Sequence, residues 1–174
     1  MGPEGQGMPA ACHSITGDDV MSRAFVKELD GVETEALPEL VVSPHRNFVT
    51  IEGLALIEQR LSELNRELVA VKAGGDPAAI SRVERDLRYW SNRRSSAEVV
   101  EAPQNPATVR FGCRVELREE SGRTSSFRIV GEDESNPSSG LISYVSPLAR
   151  FLLGKSVGDI VEFKGGEAEI VSIG

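Results

Sequence analysis

Two apolar stripes separated by a short break constrain this chain more than any other feature. The first runs through Ile51, Leu54, Ile57, Leu61, Leu64, Leu68 and Val71. Steps of three and four place these residues on one face of a helix at heptad-like spacing. Glu58, Arg60, Glu63, Arg66 and Glu67 fill the other faces, and Thr50 suits the N-cap. The pattern stops at Gly74-Gly75-Asp76-Pro77. Glycines end a helix well, and Asp-Pro starts another with a cap and a first-turn residue. The second stripe is Ile80, Val83, Leu87, Trp90 and Ala97, with Arg94 where one apolar residue is missing. Stripes joined by so short a loop pack face to face and antiparallel. Residues 50–100 are therefore expected to form an α-helical hairpin of about 20 residues per helix, roughly 30 Å long. Trp90 is assigned to the seam near the hairpin base.

The flanks read differently. Residues 1–21 are rich in glycine, proline and small side chains without periodicity, and are expected to be a disordered leader. Met21 reads as a second plausible start. Residues 22–49 interrupt short apolar pieces with Pro38 and Pro44 and are expected to form an extended arm, with His45 and Arg46 in a solvated loop. Residues 101–108 carry two prolines and read as a linker. From residue 109 to 174 the pattern is that of short strands. Val109, Phe111, Cys113, Val115 and Leu117 alternate with polar residues or glycine. Phe127, Ile129 and Val130 continue a second strand, and residues 141–145 a third. Ser146-Pro147 caps a short helix over 148–153. A closing hairpin pairs 160–163 with 167–173. The expected class is α+β, an antiparallel coiled-coil hairpin followed by a β-rich domain.

Charge and cysteine content exclude several functions. The net charge of −8 argues against sequence-specific nucleic-acid binding and fits a protein partner with basic patches. Cys12 and Cys113 form no disulfide framework, and Cys12 beside His13 lacks the further ligands a zinc site needs. No apolar run is long enough to span a membrane, and residues 1–20 lack signal-peptide character. A cytoplasmic monomer is expected. There is no catalytic triad pattern and no phosphate-cradling glycine loop.

The second half resembles a known family. Phe111-Gly112, Arg128-Ile129-Val130-Gly131-Glu132-Asp133-Glu134, Gly140-Leu141-Ile142-Ser143, Ser146-Pro147-Leu148-Ala149-Arg150 and Leu153-Gly154-Lys155-Ser156-Val157-Gly158-Asp159 follow, in order, the C-terminal domain of the GreA/GreB transcription elongation factors. Thr50, Gly53, Ile57 and Leu61 resemble the start of that family's first coiled-coil helix, and Ala97-Glu98-Val99-Val100 the end of its second. The resemblance implies an FKBP-like C-terminal domain that docks on RNA polymerase at the rim of its secondary channel, and a coiled coil that enters the channel. It implies polymerase contacts at Ser146, Pro147, Leu148 and Arg150, with Lys155 nearby, and at the acidic run Glu132, Asp133 and Glu134.

The tip departs from the family. There, approximately Gly-Asp-Leu-Ser-Glu-Asn-Ala-Glu-Tyr supplies acids that help hold magnesium at the polymerase active site, which stimulates cleavage of backtracked RNA. Here the tip has one carboxylate, Asp76, and Asp76 also caps a helix. The arm reads as shorter by about ten residues per helix, about 15 Å of reach. In this it resembles the short-armed Rnk proteins. The expectation is a polymerase-binding regulator that is not itself an enzyme and has no cofactor of its own. The alternative is a cleavage-stimulating factor in which Asp76 reaches the polymerase's magnesium. A peptidyl-prolyl isomerase follows from fold analogy alone; it would need an aromatic pocket built from Phe111, Phe127, Tyr144, Phe151 and Phe163, several of which the core should claim. A plain coiled-coil adaptor would explain the hairpin but not the motif series.

Overall fold

The computed structural model describes residues 37–174. The leader 1–21 and the first part of the expected arm lie outside the described residues. The described residues begin without regular structure and reach a two-residue strand, β1 (Phe48–Val49). Thr50 then caps α1 (Ile51–Gly74), its hydroxyl accepting from the Gly53 amide at 3.0 Å. With 24 residues, α1 is about 36 Å long, longer than its stripe alone predicts. Gly75 closes it in the left-handed conformation, φ 71°, its N–H bonding the Val71 carbonyl. Few side chains tolerate that φ, which is why glycine stands there. Asp76 caps α2 (Pro77–Ser96), with Pro77 in the first turn as expected.

The hairpin seam is carried by Ile57, Leu64 and Val83, each at most 1% exposed. Leu54, Leu61, Leu68, Val71, Ile80, Leu87 and Trp90 are half-buried beside them. Two helices bury only one stripe each, so these partners remain partly wet. Ile51 was expected in the stripe but is 62% exposed. In the first turn the buried position is Gly53 instead. Trp90 packs edge-on against Tyr89, ring centroids 5.4 Å apart.

After α2 the chain forms β2 (Glu98–Val99), which pairs in parallel with β1. The extended arm is thus tied to the end of the hairpin, a pairing that two-residue segments do not announce in sequence. The linker 101–108 has no regular structure and leads to a five-stranded sheet. Its strands are β3 (Arg114–Glu119), β4 (Thr124–Val130), β5 (Leu141–Ser143), β6 (Ile160–Phe163) and β7 (Gly166–Ile173), in spatial order β5-β4-β3-β7-β6. All neighbours are antiparallel except β4 and β5. A bulge at Glu116/Leu117 against β7 re-aims β3. The short helix α3 (Pro147–Leu152) lays Ala149 and Leu152, both 0% exposed, into a core with Val115, Leu117, Ile129 and Ile170.

Two strand expectations need correction. The strand expected from Val109 begins only at Arg114. Gly112 takes φ 85° and a Cβ there would lie 2.9 Å from Ala102, so the chain turns before the ladder starts. Val109 is still buried, pairing its backbone with Gly154 and Lys155 rather than with a strand. The run 141–145 is strand only to Ser143, because Ser146 N–H folds back onto the Ser143 carbonyl to begin α3. No helix among the described residues is long and apolar enough to cross a membrane.

Leu64→Ala is expected to cost about 2–5 kcal/mol in urea unfolding followed by circular dichroism, because it empties the middle of the seam. Ile51→Ala, at an exposed position, should stay within about 0.5 kcal/mol.

Candidate functional site

Three regions bear on function: the hairpin tip, its base and the face around α3. At the tip every residue from Ala73 to Ala78 is exposed. One oxygen of Asp76 accepts from the Ala78 amide at 3.0 Å, which commits the side chain to capping α2. The next acids along α2 are already paired, Glu84 with Lys72 at 3.0 Å and Asp86 with Arg85 at 2.9 Å. A hard divalent cation needs several oxygens converging on one point. A single carboxylate with one oxygen in a cap does not fit magnesium.

The base is built by the acidic loop after β4. Glu132, Asp133 and Glu134 were expected to face a partner. Instead they turn inward onto the two helix ends. Glu134, 7% exposed, accepts from the Thr50 amide at 2.8 Å, from the Thr50 hydroxyl, and from the Gly131 amide at 3.2 Å. It is a carboxylate at the N-terminus of α1, where unpaired N–H groups and the helix dipole favour negative charge. Asp133 accepts from Arg93 Nε at 2.7 Å, and Glu132 stands 3.9 Å from the same guanidinium. Glu132 also accepts from Ser43 Oγ at 3.0 Å. Arg93 is 1% exposed and lies in the last turn of α2, where the dipole favours a cation. Asn47, from the entering arm, donates to the Arg93 carbonyl at 2.7 Å and to Ser96 Oγ at 3.2 Å, which helps finish α2. Burial, and then the negative charge of Asp133, push the half-buried Tyr89 hydroxyl above its usual pKa.

This junction was missed in the sequence, although one signal was present. Gly53 sits in the first turn of a helix, where glycine costs about 1 kcal/mol relative to alanine. A Cβ on Gly53 would lie 2.0 Å from the Glu134 carboxyl carbon, and one on Gly131 would lie 2.5 Å from the Phe48 carbonyl oxygen. Both glycines are there to let the loop approach.

The third region does present a surface. Ser146 accepts from the Ala149 amide at 3.3 Å and so caps α3. With Ala149 and Leu152 turned to the core, the helical phase sends Pro147, Arg150 and Phe151 outward. Val145, Pro147, Arg150 and Phe151 line one shallow depression. Leu148 is half-buried against the core, and Lys155 is exposed beyond α3. Phe151 was assigned above to the aromatic set, much of it core; at 58% exposed it belongs to this face. The other aromatic rings form two clusters. Phe111 and Tyr144 stack with Phe48 at 5.4–5.9 Å, and Phe127 meets Phe163 at 5.5 Å. Their rings pack on one another in tilted or edge-on fashion.

Comparison with known proteins finds one family model, described as "Transcription elongation factor, GreA/GreB, C-term", matching residues 103–174. Transcription elongation factor GreB of Haemophilus ducreyi is 37% identical over 135 residues, covering 67% of this chain and 83% of that protein. Transcription elongation factor GreA of Ruegeria pomeroyi is 42% identical over 148 residues, covering 72% of this chain and 95% of that protein. Among solved structures, a GreA/GreB factor from Nitrosomonas europaea is 24% identical with a TM-score of 0.36, over 74% of this chain and 98% of that one.

Arg93→Ala should destabilise the chain by about 3–5 kcal/mol, since it leaves Asp133 buried without its cation. Gly53→Ala should destabilise by about 1–3 kcal/mol through the clash with Glu134. The sign is the test: alanine is the better helix former, so a stabilised Gly53→Ala protein in thermal unfolding would mean that Glu134 does not occupy the gap.

Proposed function

The chain belongs to the GreA/GreB family of transcription elongation factors, and from that premise we propose that it binds RNA polymerase at the secondary channel and modulates elongation without stimulating transcript cleavage. The C-terminal domain docks at the channel rim through the face around α3, and the hairpin projects into the channel mouth. The protein is a regulatory factor rather than an enzyme; any RNA cleavage in its presence is the polymerase's own.

The observation that carries this reading is the tip. Asp76 is its only carboxylate and serves as the α2 cap, so it offers a magnesium ion too few oxygens. Arm length supports the same conclusion. The match to the Ruegeria pomeroyi protein spans 148 aligned residues but 72% of this 174-residue chain, about 125 residues. Some twenty aligned positions therefore have no counterpart here. We place them in the hairpin, whose helices have 24 and 20 residues. A loss of about ten residues from each helix shortens the reach by about 15 Å.

Docking is assigned to Ser146, Pro147, Leu148, Arg150 and Phe151. A proline and a helix cap make this face rigid before binding, which limits the entropy lost on association. Exposed Phe151 beside Arg150 has the aromatic and arginine character of interface hot spots. Of the acidic loop, Glu134 is buried and Asp133 is committed to Arg93, which leaves Glu132, the most exposed of the three side chains, for a rim contact.

In stalled, backtracked elongation complexes the protein is expected to bind polymerase without accelerating RNA cleavage. Cleavage that disappears in Asp76→Ala would establish the alternative, in which one tip carboxylate suffices. Phe151→Ser should weaken polymerase binding by about tenfold, equivalent to about 1.4 kcal/mol, with the unfolding midpoint unchanged. Unchanged affinity would remove the α3 face from the interface.

A further inference from the structure

The segment that leads into the hairpin is held firmly at one end and lightly at the other. Asn47, Val49 and Thr50 are at most 4% exposed, and β1 is paired to β2. Upstream, residues 37–46 have no regular structure and lie on the hairpin. Glu39 accepts from Arg88 Nε at 2.9 Å and Nη2 at 2.6 Å on α2, and Ser43 reaches Glu132. Nearer the base, Arg46 pairs with Glu98. Among the described residues no backbone hydrogen bond joins 37–45 to the helices. The Glu39 and Arg88 side chains are 62% and 57% exposed, and Val41 is 91% exposed. Val42 and Ser43 are half-buried and the Arg46 carbonyl accepts from the Tyr144 hydroxyl, but no residue of 37–46 is buried, so lifting the segment would open no core.

What it covers is an outward face of α2. Arg88 follows Arg82 and Arg85 at three-residue spacing, so one side of this helix carries a row of arginines, flanked by Glu84 and Asp86, within a protein of net charge −8. Arg82 is exposed, whereas Arg85 is occupied by its neighbour Asp86. Glu39 neutralises Arg88 and lays a second chain alongside the helix.

We propose that residues 37–46 are an autoinhibitory strap that masks the Arg88 face of α2 and must lift before the hairpin inserts into polymerase. This rests on the reading that the hairpin enters the channel. An exposed ion pair is weak, but tethering at residues 47–50 makes the contact intramolecular and keeps the strap closed much of the time. The apparent affinity for polymerase is then lowered by the fraction of molecules in which the strap is open.

The test uses the full chain with Cys12→Ser, Glu39→Cys and Arg88→Cys, cross-linked by a bis-maleimide with a cleavable disulfide spacer; the native Cys113 is 0% exposed. Binding to core polymerase is measured before linking, after linking and after reduction. The locked strap should bind at least tenfold more weakly, with reduction restoring affinity. Glu39→Lys in the otherwise native chain should bind more tightly, by up to about fivefold, the range an exposed ion pair allows. Equal binding by locked and unlocked protein, or weaker binding by Glu39→Lys, overturns the strap. Poor cross-linking in the free protein overturns its placement, a result read without polymerase. Failure of even the unlocked protein to bind overturns the functional reading, and the regulatory role with it.

Discussion

The structure depends on one loop holding two helix ends at once. A helical hairpin leaves unpaired N–H groups at the start of its first helix and unpaired carbonyls at the end of its second, side by side at its base. Glu134 accepts at the start of the first helix, Asn47 donates to the Arg93 carbonyl at the end of the second, and the Arg93 side chain is held by Asp133 with Glu132 close by. Three consecutive carboxylates thereby join an arm made of two helices to a domain made of strands. The junction is nearly dry: Arg93 is 1% and Glu134 7% exposed. In such surroundings a charge without its partner is costly, so the angle of the arm is set by charge pairing as well as by packing.

That angle matters because the arm is a lever. Over about 36 Å of α1, ten degrees of play would move the tip by about 6 Å. On the proposed reading, a factor that docks through one surface and inserts a remote arm needs a stiff base. The parallel β1–β2 pair, the Asn47 bond to the Arg93 carbonyl and the Phe48–Phe111–Tyr144 cluster brace the same junction. Here the tip is built for shape rather than for chemistry. A left-handed Gly75, a capping Asp76 and a first-turn Pro77 make a tight reversal, and the one carboxylate present is part of the turn.

On the proposed reading, function is divided between two faces. The face around α3 is preorganised and presents Pro147, Arg150 and Phe151 because Ala149 and Leu152 anchor the opposite side in the core. The hairpin presents a row of arginines on α2, part of which the entering segment covers through Glu39. The acidic loop between them holds the base of the hairpin through Glu134 and Asp133. The most conspicuous acidic run of this acidic protein is turned into a junction, with Glu134 buried and Glu132 and Asp133 half-buried.

How much of this was legible depended on whether the signal was local. The hairpin, its caps at Thr50 and Asp76, the turn at Gly74-Gly75, the closing β-hairpin and the short helix after Ser146 could all be read from the chain. Periodicity, capping and turn chemistry are properties of neighbours in sequence, and the motif series from Phe111 to Asp159 marked the family in the same linear way. The inward turn of Glu132, Asp133 and Glu134, the exposure of Phe151, the late start of β3 and the β1–β2 pair were decided only by tertiary structure. A carboxylate that will face a solvent-exposed rim and one that will be buried against a helix terminus look the same in sequence. Their difference lies in which donors the fold brings within about 3 Å, and those donors, Thr50 and Arg93, stand 84 and 40 residues away along the chain.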